Sequence, residues 1–347
     1  MNNESIVVSN NYGACLDENN KKLKYLVLWV TERCNLSCKY CYAKSNISDK
    51  SMEFYIAKRA LDRLNDNSTV ILAGGEPLLN FDLIEKICTY IRKHKKGIKI
   101  NLQSNGTLLT ESIGKKLREF NVGIGISLDG MPKVNDINRG RSGDVIKGIG
   151  ILKSVGVNIN INAVVTKNNV RSLHELVDLA LCLGNVKGIG LDLLRERNKE
   201  VEKASSEEIY ALIKRMHERC EEIKILTGVN IYIREIEDAK TRIKKSLEAC
   251  HYCYASKGEA AVVIPNGDMY ACSSLVGIKK YYYGNILSNY KIVPLSDMEL
   301  KECKNCTYYK MCKKMCPSRA ILNLSGESIS KEECALRKAC FSIVKLD

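Results

Sequence analysis

Six times between Tyr25 and Leu226 a short apolar run gives way to a segment with helical spacing, and this alternation constrains the fold more than any other feature of the chain. The pairs are Leu26–Val30 with Met52–Leu64, Val70–Ala73 with Phe81–His94, Ile98–Gln103 with Ser112–Phe120, Val122–Leu128 with Val145–Val155, Val157–Val165 with Leu173–Leu183, and Ile189–Leu194 with Ser206–Leu226. Short, continuously apolar strands joined by helices predict parallel strands buried on both faces. Right-handed crossovers curl such strands into a barrel or lay them out as a doubly wound sheet, and the residues alone leave both open.

Polar groups gather after the strands, where parallel α/β architectures keep their chemistry. The first strand leads into Thr31-Glu32-Arg33-Cys34-Asn35-Leu36-Ser37-Cys38-Lys39-Tyr40-Cys41-Tyr42, three cysteines spaced CxxxCxxC. Three thiolates hold three irons of a cubane cluster and leave the fourth open for a small ligand. A structural zinc wants a fourth protein ligand nearby, yet the neighbouring cysteines are Cys15 and Cys88 and none of the four histidines is near the loop. The second strand ends in Gly74-Gly75-Glu76-Pro77, where absent side chains let backbone approach a ligand and Glu76 can accept from an ammonium group. Strands three and four end in Gln103-Ser104-Asn105-Gly106 and Ser127-Leu128-Asp129-Gly130, short polar groups suited to ribose hydroxyls, with Arg139 in the loop beyond. Asn105-Gly106 and Asp129-Gly130 read equally as turns, and Ser127 as a cap.

With Tyr40 directly before the third cysteine and GGEP closing the next apolar run, the stretch resembles the signature of the radical S-adenosylmethionine (SAM) enzymes. The resemblance covers about residues 25–230 and implies an α/β fold, a partial (β/α)6 TIM-like barrel. In that family the open iron of a 4Fe-4S cluster chelates the amino and carboxylate groups of S-adenosyl-L-methionine. One electron then cleaves the cofactor to a 5′-deoxyadenosyl radical, which abstracts a substrate hydrogen. Carried over residue by residue, the resemblance implies Cys34, Cys38 and Cys41 as ligands of the SAM cluster and Tyr40, Gly74, Gly75, Glu76 and Pro77 as part of the cofactor site. It implies Asn105, Ser127 and Asp129 on the cofactor's sugar side and Arg139 on its carboxylate.

Past residue 230 the composition changes. Cysteines follow as Cys250-x2-Cys253, Gly267-x4-Cys272, Cys303-x2-Cys306-x5-Cys312-x3-Cys316 and Cys334. Alternating runs 259–264 and 268–272 flank Pro265-Asn266-Gly267, a β-hairpin with its glycine where a positive φ is wanted, which carries Cys272 back toward Cys250 and Cys253. This order resembles the small Cys-rich SPASM domain of radical enzymes that modify peptides and proteins, which holds two auxiliary 4Fe-4S clusters. Eight cysteines fill two cubanes with no vacancy. The resemblance implies Cys250, Cys253, Cys272 and Cys316 for auxiliary cluster one, and Cys303, Cys306, Cys312 and Cys334 for auxiliary cluster two. Spacing does not settle the pairing, and Cys340 is left over and could replace Cys334. Lys304, Lys310, Lys313 and Lys314 would offset the clusters' negative charge, and two zinc sites of four cysteines are the competing reading.

The chain accordingly divides into a lead-in over 1–24 with room for one hairpin, the radical SAM barrel over 25–230 and the SPASM domain over 231–347. The lead-in is shorter than the winged-helix domain that some peptide-modifying relatives carry at this end, and Cys15 reads as an ordinary thiol. Cys88, Cys182 and Cys220 lie at helical apolar spacing and read as small buried hydrophobes. His94 and His174 read as surface or packing residues.

Bulk properties fit this division. A chain of 347 residues that is 45% hydrophobic exceeds one average domain and can bury a sizeable core. It has no run of about 18 apolar residues and no basic segment followed by an apolar stretch at its start, so a soluble, untargeted, cytoplasmic protein is expected. Sixteen cysteines clustered in CxxC-type groups favour metal ligation in a reducing compartment over disulfides, and with it oxygen sensitivity. The formal charge of +14 first points to nucleic acid. Eleven thiolates on three clusters with a core charge of about +2 each bring it down to about +9. The remainder is spread over many helices, which reads as a solvated basic surface able to attract an acidic ferredoxin or flavodoxin as electron donor.

Within the SPASM enzymes the layout resembles the anaerobic sulfatase-maturating enzymes and ribosomal-peptide maturases, notably over Leu102-Gln103-Ser104-Asn105-Gly106-Thr107-Leu108 and Ile126-Ser127-Leu128-Asp129-Gly130. It departs from the former at one place. Those relatives carry a catalytic aspartate directly after the hairpin cysteine, whereas Ser273 follows Cys272 here, and a serine is a poor base at neutral pH. The leading expectation is therefore a maturase that abstracts hydrogen from a precursor peptide or protein and crosslinks, epimerises or oxidises it. Ser273 and Tyr281, Tyr282 and Tyr283 are catalytic candidates by position only. A radical SAM enzyme acting on a small-molecule cofactor or tetrapyrrole is the alternative, a non-catalytic iron-sulfur electron carrier the next, and an RNA-modifying enzyme the last. The carrier predicts no spectral response to SAM, and the RNA reading predicts salt-sensitive RNA binding.

Overall fold

A computed structural model of the chain describes residues 7–8, 23–43, 48–197, 200–249, 251–299, 301–323 and 331–346. Cys15, Cys250 and the expected lead-in, apart from Val7–Val8 and the first residues of the barrel's first strand, lie outside the described residues. Val7–Val8 pairs antiparallel with Met298–Glu299.

Ten strands share one sheet. In chain order they are β1 (Leu23–Thr31), β2 (Leu64–Gly74), β3 (Lys99–Ser104), β4 (Gly123–Ser127), β5 (Ile159–Val165), β6 (Val186–Leu193), β7 (Tyr232–Ile233), β8 (Ala260–Val263), β9 (Asp268–Tyr270) and β10 (Tyr282–Asn285). Their spatial order is β10-β9-β8-β1-β2-β3-β4-β5-β6-β7. Neighbours from β8 through β1 to β7 run parallel, and β9 and β10 are antiparallel additions at one edge. Each parallel step from β1 to β6 is bridged by helix, as right-handed βαβ units require. The chain thus forms a mixed α/β fold on a mostly parallel, barrel-like sheet.

The helices of 54–61, 81–94, 111–119, 142–154, 176–183 and 206–227 follow the sequence pattern closely. Their starts have local causes: Thr110 Oγ1 accepts from Ile113 N at 3.3 Å, and Ser205 with Glu208 forms a capping box ahead of Ser206–Thr227. The expected helix over 52–64 stops at Leu61, because Leu64 already pairs with Leu23 at the start of β2. Elements not anticipated from the sequence include two-residue β7, β10, the helices Pro132–Asn138 and Pro317–Asn323, the helix Arg234–Lys244 and the helix Lys331–Leu346, which packs on the helices 206–227 and 234–244.

Strands buried on both faces are found only in part. In β1, Leu26, Leu28 and Val30 join the main core beneath the helices. Val27 and Trp29 face the other way and cluster with Ile71, Val262, Ile264 and Tyr270 on the inner wall. From β3 to β6 most inner positions are instead amides and glycines, Asn101, Gln103, Gly123, Gly125, Asn160, Asn162, Gly188 and Gly190, with Ser127, Val164 and Asp192 at the carboxyl ends. The outer half of each of these strands alone supplied the apolar signal.

The hairpin also differs from expectation. Strand β8 pairs with β1 from Tyr25↔Ala260 to Leu28↔Val263, so the hairpin extends the barrel sheet, and Gly267 makes its turn with φ of +87°. None of the fourteen described cysteines is in a disulfide. Cys88 and Cys220 are buried as expected, but Cys182 is exposed. Apart from Asp178 the helix Leu176–Leu183 is apolar, so periodicity could not choose its buried face toward its end. Among the described residues no helix is long and apolar enough to cross a membrane.

Candidate active site

A cavity of about 770 Å³ opens at the carboxyl ends of the strands. Its wall brings together Cys34, Cys38, Cys41 and Tyr40 from the loop after β1, Gly74, Gly75 and Glu76 after β2, Asn105 after β3, Ser127 at the end of β4, and Arg139 beyond it. Ser273, one residue past the hairpin cysteine, reaches the same wall. Asp129 and Pro77, also singled out in the sequence, do not line it.

The glycines of the turn after β2 serve a contact within the protein. A Cβ on Gly75 would stand 2.0 Å from the Arg33 carbonyl oxygen, and one on Gly74 2.2 Å from that of Thr31. Gly75 N donates to Thr31 O at 2.9 Å and Glu76 N to Arg33 O at 2.8 Å. The missing side chains therefore let this turn lie against the start of the cysteine loop and fix where that loop begins. The expected approach is of backbone to backbone.

Glu76 is 1% exposed, and its carboxylate accepts from Leu78 N at 3.1 Å, Ser104 Oγ at 2.8 Å and Asn105 N at 2.8 Å. Burial pushes its pKa up to about 7 against the lowering effect of those bonds. Three of roughly four lone-pair sites are spoken for, so Glu76 chiefly ties the ends of β2 and β3 together. Asn105 Nδ2 in turn donates to Asn35 Oδ1 at 2.9 Å, inside the cysteine loop.

Asp129 is fully buried and works behind the wall. Its Oδ2 accepts from Tyr40 Oη and from Arg139 Nε at 2.9 Å, and its Oδ1 from Val164 N at 2.9 Å. The Arg139 guanidinium lies 5.2 Å from the Tyr40 ring centroid. Asp129 raises the Arg139 pKa over the opposing effect of burial, so the cation at the cavity is permanent and held still. Asp129 thus orients two cavity residues, which corrects the reading that places it against the sugar. Burial also pushes the Cys38 thiol up to about 11, with Arg139 pulling it down and Cys41 and Cys34 pushing it up.

A second cavity of about 50 Å³ is lined by Cys303, Cys306, Cys312 and Cys334, with Lys314, Arg337 and Lys338 around it. Cys340 is elsewhere, 1% exposed in the main core. Cys272 and Cys316 are joined through their neighbours: Cys272 Sγ to Ser274 Oγ at 3.3 Å, Ser274 Oγ to Ser318 Oγ at 3.1 Å, and Ser318 Oγ to Cys316 Sγ at 3.3 Å. Glu333 links the two groups. It accepts from Cys316 N at 3.0 Å and Tyr252 Oη at 2.8 Å, and the next residue is Cys334. Of the basic residues near the central motif, Lys313 is engaged by Asp238 at 2.9 Å and Lys314 sits 4.3 Å above the Tyr309 ring. Among the described residues no three His, Cys, Asp or Glu side chains close around a single ion. Thiolates on one zinc would lie about 3.8 Å apart, whereas a cubane spreads its sulfurs more widely.

Two sets of site residues escaped the sequence. Arg197 donates to Tyr42 O at 3.1 Å, Ser274 O at 3.4 Å and Val276 O at 2.8 Å, clamping the end of the first cysteine loop to the segment after Cys272. Asp192 and Arg195 are paired on the cavity wall, and Arg319 reaches Asp192 at 3.1 Å. Asp192 lies at the end of the sixth strand, and Arg195 and Arg197 follow it, so the end-of-strand rule would have flagged these three, but not Arg319 in the helix Pro317–Asn323. Tyr281, Tyr282 and Tyr283 do not line the cavity: Tyr283 donates to Val293 O at 2.7 Å, Tyr282 to Asp268 Oδ1 at 3.1 Å, and Tyr281 packs on the core. Ser273 Oγ accepts from Trp29 Nε1 at 3.4 Å.

Comparison with known proteins agrees with this geometry. The model of the Radical SAM superfamily matches residues 29–180. The chain is 36% identical over 292 residues to the uncharacterized protein MJ0907 of Methanocaldococcus jannaschii, covering 81% of this chain and 94% of that one. It is 26% identical over 336 residues to a cysteine-type anaerobic sulfatase-maturating enzyme of Clostridium perfringens, covering 85% and 88%. A match of 32% identity to the Fe-coproporphyrin III synthase of Methanosarcina barkeri spans 168 residues, 46% of this chain and 41% of that one. In fold the chain is similar to native anSMEcpe with bound AdoMet, with a TM-score of 0.77, 23% identity and coverage of 93% and 98%. It is also similar to Streptococcus suis SuiB bound to precursor peptide SuiA, with a TM-score of 0.65, 20% identity and coverage of 87% and 73%.

Proposed function

Since the chain belongs to the radical SAM superfamily, an enzyme family that uses SAM with a 4Fe-4S cluster, we propose that it matures a peptide or protein by taking a hydrogen atom from one of its residues. Cys34, Cys38 and Cys41 hold the cluster that binds S-adenosyl-L-methionine. Together these groups supply a 5′-deoxyadenosyl radical. The single observation that carries the proposal is the shared wall: three cysteines, the GGE turn, Asn105, Ser127 and Arg139 line one cavity, and the Cys272 segment reaches it through Ser273.

Each cavity residue then has a task. Arg139, held by Asp129, meets the cofactor's carboxylate, and a fixed guanidinium suits that group. Asn105 and Ser127 take its hydroxyls. Glu76, with Pro77 opening the short helix behind it, keeps the turn, Ser104 and Asn105 in place. Two further 4Fe-4S clusters occupy the C-terminal region, one on Cys253, Cys272, Cys316 and Cys250, the other on Cys303, Cys306, Cys312 and Cys334. The four-cysteine cavity and the serine chain joining Cys272 to Cys316 support this division. The barrel spans 25–230 and the cluster-bearing domain 231–347. The basic surface favours an acidic flavodoxin or ferredoxin as donor.

A peptide substrate is favoured over a tetrapyrrole by coverage. The relative named as a sulfatase-maturating enzyme aligns over 85% of this chain, whereas the porphyrin synthase aligns over 46%. Ser273 in place of an aspartate argues against formylglycine formation and for crosslinking, epimerisation or another oxidation. Co-expression with short peptides encoded beside the gene, followed by mass analysis in deuterated water, tests the reading. Loss of two hydrogens or uptake of one deuterium is expected. Unchanged peptides together with conversion of an iron coproporphyrin would move the assignment to the tetrapyrrole class.

A further inference from the structure

The barrel's inner wall has two unlike halves. The half built by β8, β1 and β2 is apolar, with Val262, Val27, Trp29 and Ile71. The half from β3 to β7 pairs amides with glycines across neighbouring strands: Gln103 opposite Gly125, Gly125 opposite Asn160, and Asn162 opposite Gly190. A parallel α/β barrel ordinarily fills this space with branched aliphatic side chains. Gly in a strand weakens it, having no side chain to pack and more backbone entropy to lose, and this wall carries four, Gly123, Gly125, Gly188 and Gly190.

The glycines make room for polar side chains to lie flat. A Cβ on Gly125 would meet Asn162 Nδ2 at 2.4 Å, and one on Gly190 the Arg234 guanidinium at 2.5 Å. The belt is bonded within itself: Asn162 Nδ2 donates to Gln103 Oε1 at 2.7 Å, Arg234 Nη1 to Asn162 Oδ1 at 3.3 Å, and Tyr232 Oη to Asn160 Oδ1 at 2.9 Å. Each amide carries two donors and two acceptor lone pairs, the same groups a peptide bond offers. Gln103, Asn162 and Arg234 line the large cavity, and Asn101 and Asn160 continue the belt two residues earlier on the same strands. That step along a strand is about 6.7 Å, the side-chain repeat of an extended peptide.

We propose that this amide belt is a subsite for the main chain of an extended peptide, which lies along the barrel with its backbone on Gln103, Asn162 and Asn160 and its side chains toward Val27 and Ile71. This deepens the peptide reading above and rests on it. Because main-chain groups are the same at every residue, recognition here tolerates sequence, and Arg234, neutralised by Glu235 at 2.7 Å, holds Asn162 in place at the belt's end.

The test is anaerobic calorimetry on the holoenzyme with SAM. The probes are an acetylated, amidated hexapeptide of alternating serine and alanine, and the same peptide N-methylated at every second residue. The unmethylated probe should bind at least tenfold more tightly, and Asn162→Leu should remove that difference. Equal binding of the two probes overturns the belt and leaves the peptide reading standing. Binding of neither probe alongside binding of iron coproporphyrin overturns the reading beneath it, and binding of none of the three overturns the belt. The probe comparison on the unmodified enzyme decides the matter even if Asn162→Leu fails to fold.

Discussion

Replacing Asp129 by Asn separates a residue that holds the site from one that touches the cofactor. The substitution keeps the shape and removes the charge. Arg139, with a side chain 13% exposed, then loses the only carboxylate paired with it among the described residues, and Asp129 itself is fully buried. Breaking a buried ion pair from one side costs about 3–5 kcal/mol. Part of this is spared, because the guanidinium keeps its place over the Tyr40 ring, worth about 0.5–2 kcal/mol. The amide must also turn a donor toward either Val164 N–H or the Tyr40 and Arg139 pair, losing at least one charge-assisted bond. The net expectation is a loss of about 3 kcal/mol, and more for Asp129→Ala, which orphans Val164 N–H as well. Urea unfolding of the metal-free protein, followed by circular dichroism under nitrogen, reads this directly because no cofactor is present. Ser127→Ala, a change on the cavity wall, should stay within about 0.5 kcal/mol. If Asp129→Asn matched the wild type in stability yet lost SAM binding, the positioning argument would be wrong and Asp129 would belong to the cofactor.

Other expectations follow from the same contacts. Glu76 has a pKa raised by burial from 4.5 to about 7, so the folded state holds its proton between those values while the unfolded state releases it. Stability of the metal-free protein should therefore fall as pH rises through that window, by up to ~3 kcal/mol, and Glu76→Gln should flatten the profile measured by unfolding at pH 5 to 8. Gly75→Ala must move the Arg33 carbonyl by more than 1 Å, roughly, given normal carbon–oxygen contact, and overpacking of this kind costs about 1–3 kcal/mol; reconstituted protein should lose SAM-cluster iron, seen as lower absorbance near 400 nm. Cys334→Ala should lose one cluster, about four irons in twelve, whereas Cys340→Ala should keep its iron, and the reverse result would exchange their roles. Arg197→Ala should leave total iron unchanged but lengthen the distance between the SAM cluster and the Cys272 cluster in pulsed electron paramagnetic resonance.

What could be read in advance depended on whether local chemistry or tertiary contact fixed a feature. The barrel strands and their helices were legible because β1 to β6 each present an apolar outer face to the helices, whatever lies on the inner face. The cysteine loop and the turn after β2 were legible because ligand spacing and glycine are local. Asp129 was placed on the wrong side of the wall, since nothing in Ser127-Leu128-Asp129-Gly130 announces Tyr40, Arg139 and Val164 as its partners. The amide belt was hidden for a similar reason: Asn160 and Asn162 read as interruptions of an apolar run until Gly188 and Gly190 are seen beside them. Cys334 and Cys340 are told apart only by tertiary position, one lining a cavity with three other cysteines and the other lying in the core, which supports the proposed ligand set.

The most direct measurement concerns the open metal corner that a cluster on Cys34, Cys38 and Cys41, as proposed, would leave to the cofactor. Anaerobically reconstituted protein, reduced with dithionite, should change its cluster resonance signal when SAM is added and then release 5′-deoxyadenosine, and a variant with all three cysteines changed to Ala should do neither while keeping its other iron. An unaltered signal with no 5′-deoxyadenosine from fully loaded protein would contradict the account at its base.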